Sequence, residues 1–130
     1  MENWNELDGS VFFNKIFAHA IPIGEVKLSS ISIDNIRPII ILEFDIFDFP
    51  SEPPAKWKQS GFNVCRIGLN CSNIAELKIK NLPTQKILLV NISRQGGGFK
   101  ISLSNNESLI QFTTKNPLLC GPSGYLNTSE

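Results

Sequence analysis

The pattern that most restricts this chain begins after Pro22. From Val26 onward apolar and polar residues alternate in short runs, and no helical stretch intervenes between them. Parallel neighbours in a sheet need a crossover of about a dozen residues or more, usually a helix, whereas antiparallel neighbours can be joined by tight turns. The sequence therefore predicts an α+β, mainly β fold: an antiparallel sheet or sandwich of six to seven strands with one N-terminal helix, organised as a single domain over residues 1–130.

The runs can be followed one by one. Val26 and Leu28 alternate, and Ile31 and Ile33 continue in the opposite phase, so the slip at Ser29-Ser30 predicts a bulge, where one extra residue exchanges the two faces. Asp34-Asn35 begins a turn, and Pro38 opens the strongest strand signal, residues 39–49. One face of that strand is wholly apolar (Ile40, Leu42, Phe44, Ile46); the other passes from Ile39 and Ile41 to Glu43, Asp45 and Phe47. Further strands are expected at 64–70, 76–80, 86–93, 99–104 and 109–114. In the second of these Leu77 and Ile79 should point inward, with Lys78 and Lys80 outward. Gly96-Gly97-Gly98 before Phe99 reads as a hairpin connection. The segment from Asn116 onward, with Pro117 and Pro122, is expected to be a loose tail held by Tyr125.

The helix is expected at residues 10–20. Phe12, Phe13, Ile16, Phe17 and Ala20 fall on one face at helical spacing, Ser10 is placed to cap the first turn, and Pro22 helps to end it. That aromatic stripe is read as packing against the sheet.

The machinery of catalysis is sparse. One histidine, His19, sits near the end of the expected helix, where a cation complements the C-terminal dipole. Three scattered cysteines and that histidine lack the spacing of a zinc site. Asp45-Ile46-Phe47-Asp48 lacks the alternating oxygen ligands and the glycine turn of a calcium loop. The triple glycine is followed by a strand, without the Lys-Ser/Thr and helix of a phosphate-binding loop. Gly121-Pro122-Ser123-Gly124 does not match Gly-x-Ser-x-Gly. Paired-carboxylate chemistry would require two acids of the Glu43, Asp45, Asp48 and Glu52 group to converge across a pocket. No catalytic residue, metal site or cofactor is assigned.

Twelve basic residues balance twelve acidic ones, so there is no long-range attraction to phosphate, and neither nucleic acid nor an anionic membrane is the expected partner. The longest apolar run, residues 38–42, falls far short of the ~18 residues of a membrane span. The first residues lack a signal-peptide pattern, and the three cysteines read as reduced thiols, which together predict a cytoplasmic protein. Cys65 and Cys71, within one strand, lie too far apart to bond, and the sequons at Asn70, Asn91, Asn106 and Asn127 are read as chance.

What remains is a binding reading. Residues 43–52 contain four acids and no base, and the connection through residues 50–61 is long and stiffened by Pro50, Pro53 and Pro54. Long connections in small domains tend to be functional or disordered, and stiffness lowers the entropy lost on binding. Glu43, Asp45, Asp48, Glu52 and Trp57 are the candidate partner-binding residues. Trp57 has two possible fates, an interface anchor or a ring folded back over the sheet edge, and the second is the commoner.

The same stretch carries a resemblance. Phe44-Asp45, Phe49-Pro50, Pro53-Pro54-Ala55-Lys56-Trp57 and Gly61-Phe62-Asn63 resemble the central motif of the immunity protein 50 family. Ile21-Pro22, Val26-Lys27-Leu28 and Ile31-Ser32-Ile33 fit its opening strand, and the Leu77–Ile79 strand and Gly124-Tyr125 are consistent with it. The resemblance is good over roughly residues 22–79. It implies a non-catalytic bacterial immunity protein of a polymorphic-toxin or contact-dependent inhibition system, one that binds a cognate toxin domain in the cytosol and blocks it sterically. Many such toxins are nucleases, and against a basic nuclease the acids could mimic phosphate. A general protein-interaction or adaptor module is the competing reading, and an enzyme using the acid cluster is the third.

Overall fold

The computed structural model describes residues 1–83 and 86–128. Eight strands form one antiparallel sheet: β1 (Glu25–Asp34), β2 (Ile39–Ile46), β3 (Val64–Cys71), β4 (Ala75–Lys80), β5 (Ile87–Gln95), β6 (Gly98–Ser104), β7 (Leu109–Thr114) and β8 (Pro117–Tyr125). Their order is β4-β7-β6-β5-β1-β2-β3-β8. Alternation builds the strands as expected: β2, β6 and β7 bury every second residue. Buried side chains from both four-stranded halves, such as Leu42, Phe44, Ile67, Ile101, Leu103 and Phe112, belong to one core. The sheet is therefore folded over itself, and the halves are joined through only three pairs, Glu25–Leu89, Val26–Leu88 and Lys27–Ile87. The register of β1 against β2 slips between Leu28 and Ser30, at the predicted bulge. Gln95 pairs with Gly98 across a hairpin at Gly96 and Gly97, where Gly96 takes φ +60°. Asp34 closes the β1–β2 turn, its Oδ1 accepting from the backbone N–H of Ile36 at 3.0 Å.

Five expectations are corrected. The sheet has eight strands, not six or seven, because residues 117–125 form a strand against β3 where a loose tail was expected. The prolines there do not prevent this: β8 is an edge strand, which can tolerate a missing N–H. Helix α1 spans Val11–Ile16, shorter than residues 10–20; Phe17 is already extended, Ala20 is exposed, and His19 is exposed beyond the helix. Phe13, Ile16 and Phe17 are buried, with the Phe13 and Phe17 rings stacked at 4.4 Å, while Phe12 turns toward solvent. Ser10 does not cap the helix: its hydroxyl donates to the carbonyl oxygen of Asn5 at 2.9 Å. A second helix, α2 (Ala55–Ser60), occupies the proline-rich connection and ends at Gly61 in the left-handed conformation. Finally, β4 is exposed along its whole length. Ile79 does pair with the buried Ile110, so it faces inward, but at the sheet edge it stays 43% exposed.

The two sheet edges are treated differently. Along β8 the N-terminal segment adds cover: the N–H of Leu119 donates to the carbonyl of Asp8 at 2.8 Å. Gly9, at φ +87°, passes so close to the Leu119 carbonyl that a Cβ would overlap it. Trp4, in a short 3-10 turn, is buried with its ring 5.4 Å from that of Phe44.

The three cysteines are free; Cys65 and Cys71 are buried and Cys120 is partly exposed. Burial pushes both buried thiols up to about 12, helped at Cys65 by the negative Asp45 and Asp48 nearby. Since the thiolate is the reactive form, an aromatic disulfide reagent at pH 8 should label only Cys120 in the native protein and all three after denaturation. Stoichiometric native labelling of Cys65 or Cys71 would contradict this packing.

Candidate functional site

The outer face of β2 is where the predicted acids meet the rest of the molecule. Alternation places Glu43 and Asp45 on one side of the strand, away from Leu42 and Phe44. The register then sets Lys27 of β1 and Arg66 of β3 directly beside Asp45. Arg66 Nε donates to Asp45 Oδ1 at 2.8 Å and its second nitrogen to Oδ2 at 3.4 Å. The Tyr125 hydroxyl donates to Asp45 Oδ2 as well, and the Arg66 guanidinium lies over the Tyr125 ring at 4.7 Å. The Asp45 side chain is 14% exposed, so this pair is shielded from screening more than a surface salt bridge.

These groups border a cleft of about 460 Å³, lined in part by Lys27, Asp45, Phe47, Asp48, Arg66 and Tyr125. Phe47 stands at its rim with 62% of its surface exposed, and Phe49 is 38% exposed. Aromatic rings beside fixed charges, partly exposed and held by a rigid sheet, suit the anchoring of a partner. Among the described residues no cluster of three or more His, Cys, Asp or Glu could hold a metal ion.

The structure brings Asp45 and Asp48 to the same cleft. Glu43 lies one step along β2 and accepts from the Ser30 hydroxyl at 3.2 Å. Glu52 is carried off on the loop, where its N–H donates to the carbonyl of Ile16 at 3.0 Å and the Ser51 hydroxyl accepts from the N–H of Ala18 at 3.0 Å. Trp57 is 8% exposed. Its ring packs 6.0 Å from Phe49 and 6.4 Å from Phe62, against the backbone of Gly124. The sequence reading missed Lys27, Arg66, Phe47 and Tyr125 as members of the site. Phe47 was legible from its outward phase, but the others needed the strand register.

The model of the family described as Immunity protein 50 matches residues 9–125. The chain belongs to the immunity protein 50 family. The match begins at Gly9, in the segment covering β8, and ends at Tyr125 in the cleft, so it spans all eight strands. No curated protein and no solved structure gave a significant match. Family membership supports an immunity-protein role in general and suggests a non-catalytic one. Among the described residues, no helix is long and apolar enough to cross a membrane.

Two outcomes test this geometry. A Cβ on Gly124 would come within 2.7 Å of the Trp57 ring, whereas one on Gly97 would meet nothing. Gly124→Ala should therefore lower stability by about 1–3 kcal/mol, as overpacking does, with Gly97→Ala as the near-neutral control in thermal melts. Tyr125, the one tyrosine of the chain, is the second probe. Burial, then its bond to the negative Asp45, raises its phenol above the usual value, against an opposing pull from Arg66. A raised folded value favours the neutral phenol, so this stabilisation is present below about 10 and lost as pH climbs through the folded value. Ultraviolet titration should give a midpoint above 10, falling in Asp45→Asn; an unshifted midpoint in both proteins would rule out the contact.

Proposed function

We propose that this protein binds a cognate bacterial toxin domain in the cytoplasm and neutralises it by steric blockade, as part of a polymorphic-toxin or contact-dependent inhibition system. The observation that carries the reading is the family match, which includes every strand that builds the cleft. In this reading Phe47 anchors the toxin, and Glu43, Asp48 and Glu52 supply the acid charge that steers a basic toxin surface. Asp45 is offset by Lys27 and Arg66, so it acts by holding the cleft in shape. Trp57 contributes by fixing α2 and the loop that carries Glu52 and Phe49. Any phosphate mimicry toward a nuclease is local, because the chain has no net charge.

Co-expression with a toxin encoded by a gene directly beside this one should restore growth and yield a stable complex; toxicity without rescue or binding would favour the adaptor reading. Within that complex, the triple variant Glu43→Gln, Asp48→Asn, Glu52→Gln should slow association and flatten its salt dependence. Phe47→Ala should weaken affinity about tenfold or more while leaving the melting curve nearly unchanged, since the ring is largely exposed. Unaltered association and affinity in both variants would place the interface elsewhere.

A further inference from the structure

The open edge of β4 lies apart from the cleft, at the opposite end of the strand order. Among the described residues β4 pairs with β7 alone, and all six of its residues are exposed. Beside it the tip of the β1–β2 hairpin forms a small groove of about 190 Å³, lined by Ile33, Pro38, Ile39, Ile40, Ile74 and Leu77. Ile33 is 52% exposed and Ile36, in the turn, 88%. The backbone here is unusual as well. The three non-glycine residues with positive φ among those described are Asn73, Glu76 and Asn81, which flank or interrupt β4. Such residues cost free energy unless the surroundings hold them, and they concentrate at functional segments.

Charge gives the edge a direction. Lys78 pairs with Gln111 and Lys80 with Leu109, both on the outer face, while Ile79 pairs with Ile110 on the inner face. The balanced total conceals a division: residues 72–115, which contain β4 to β7, hold six lysines and arginines against two acids. An identical β4 laid antiparallel about Lys78 would set Lys78 against Lys78, and like charges directly opposite destabilise a pair, while its two Glu76–Lys80 pairs would fall where the register against β7 shifts and Glu76 takes φ +54°. A guest that sets an acid beside both Lys78 and Lys80 gains both opposite-charge pairs without that like-charge contact.

We propose that β4 is a docking edge for an extended segment of a different protein in which carboxylates alternate with apolar residues. The guest strand would take up the unpaired backbone groups of β4, set its acids beside Lys78 and Lys80, and lay its apolar side chains over Ile79 and the groove at Leu77. Strand addition of this kind draws affinity from the backbone and specificity from alternate side chains. The proposal is independent of the toxin reading, because it uses none of the cleft residues.

The probes are two short peptides, one alternating valine with glutamate and one alternating valine with lysine, added to isotope-labelled protein. The expected result with the glutamate peptide is a set of backbone amide shifts and slowed amide exchange centred on Ala75–Lys80. The lysine peptide should bind about tenfold more weakly, since opposite-charge pairs stabilise a strand pair and like charges oppose it. The double variant Lys78→Glu, Lys80→Glu, at two exposed positions, should invert that preference. Equal responses to both peptides, shifts confined to other strands, or a β4 edge already protected by self-association would each overturn the proposal.

Discussion

Three residue pairs between β1 and β5 carry the sheet from one half of the molecule to the other. Backbone bonding at that join is slight, so the two halves are held chiefly by the side chains they bury together. Val26 stands at the join, fully buried, and the Val90 N–H donates to the Gly24 carbonyl at 3.0 Å just before it. Beyond the join the bulge at Ser29 increases the local twist, as bulges do, and β1 leaves β5 to continue with β2 alone. Everything on the outer face, including the cleft and the open β4 edge, takes its position from where the sheet turns at this point.

Much of this was legible in the sequence because alternation is a local signal. The inward face of β2, the phase slip in β1, the triple-glycine hairpin and the strand at 109–114 all follow from residues close together in the chain. The misread parts depend on distant partners. β8 contains two prolines and two glycines, and nothing local shows that β3 will pair with it. Residues 17–20 continue an apolar periodicity, yet the chain is drawn out of the helix, and the loop at Ser51 and Glu52 takes up the backbone groups of Ala18 and Ile16.

The acid cluster shows the same division. Read along the chain, residues 43–52 are four acids without a base. Read across the sheet, Asp45 stands between Lys27 and Arg66. The exposed acids around it keep their charge available, while Asp45 becomes part of a fixed hydrogen-bonded group with Tyr125. Trp57 is comparable: its place in a proline-rich loop suggested two fates, and the structure places the ring between Phe49, Phe62 and Gly124. The loop is thereby held as a formed surface.

Tyr125 meets Asp45 across 80 positions of sequence. Contacts so remote must wait for loop closure, and they form late relative to local hairpins. During synthesis, β1 and β2 emerge and can pair long before β8 exists, so a growing chain has the acids of the cleft without its far wall. The protein cannot present its finished cleft in installments: the surface appears only when β8 has been translated and laid against β3. A chain truncated before residue 117 would therefore keep β1 to β7 while lacking the wall that closes the cleft.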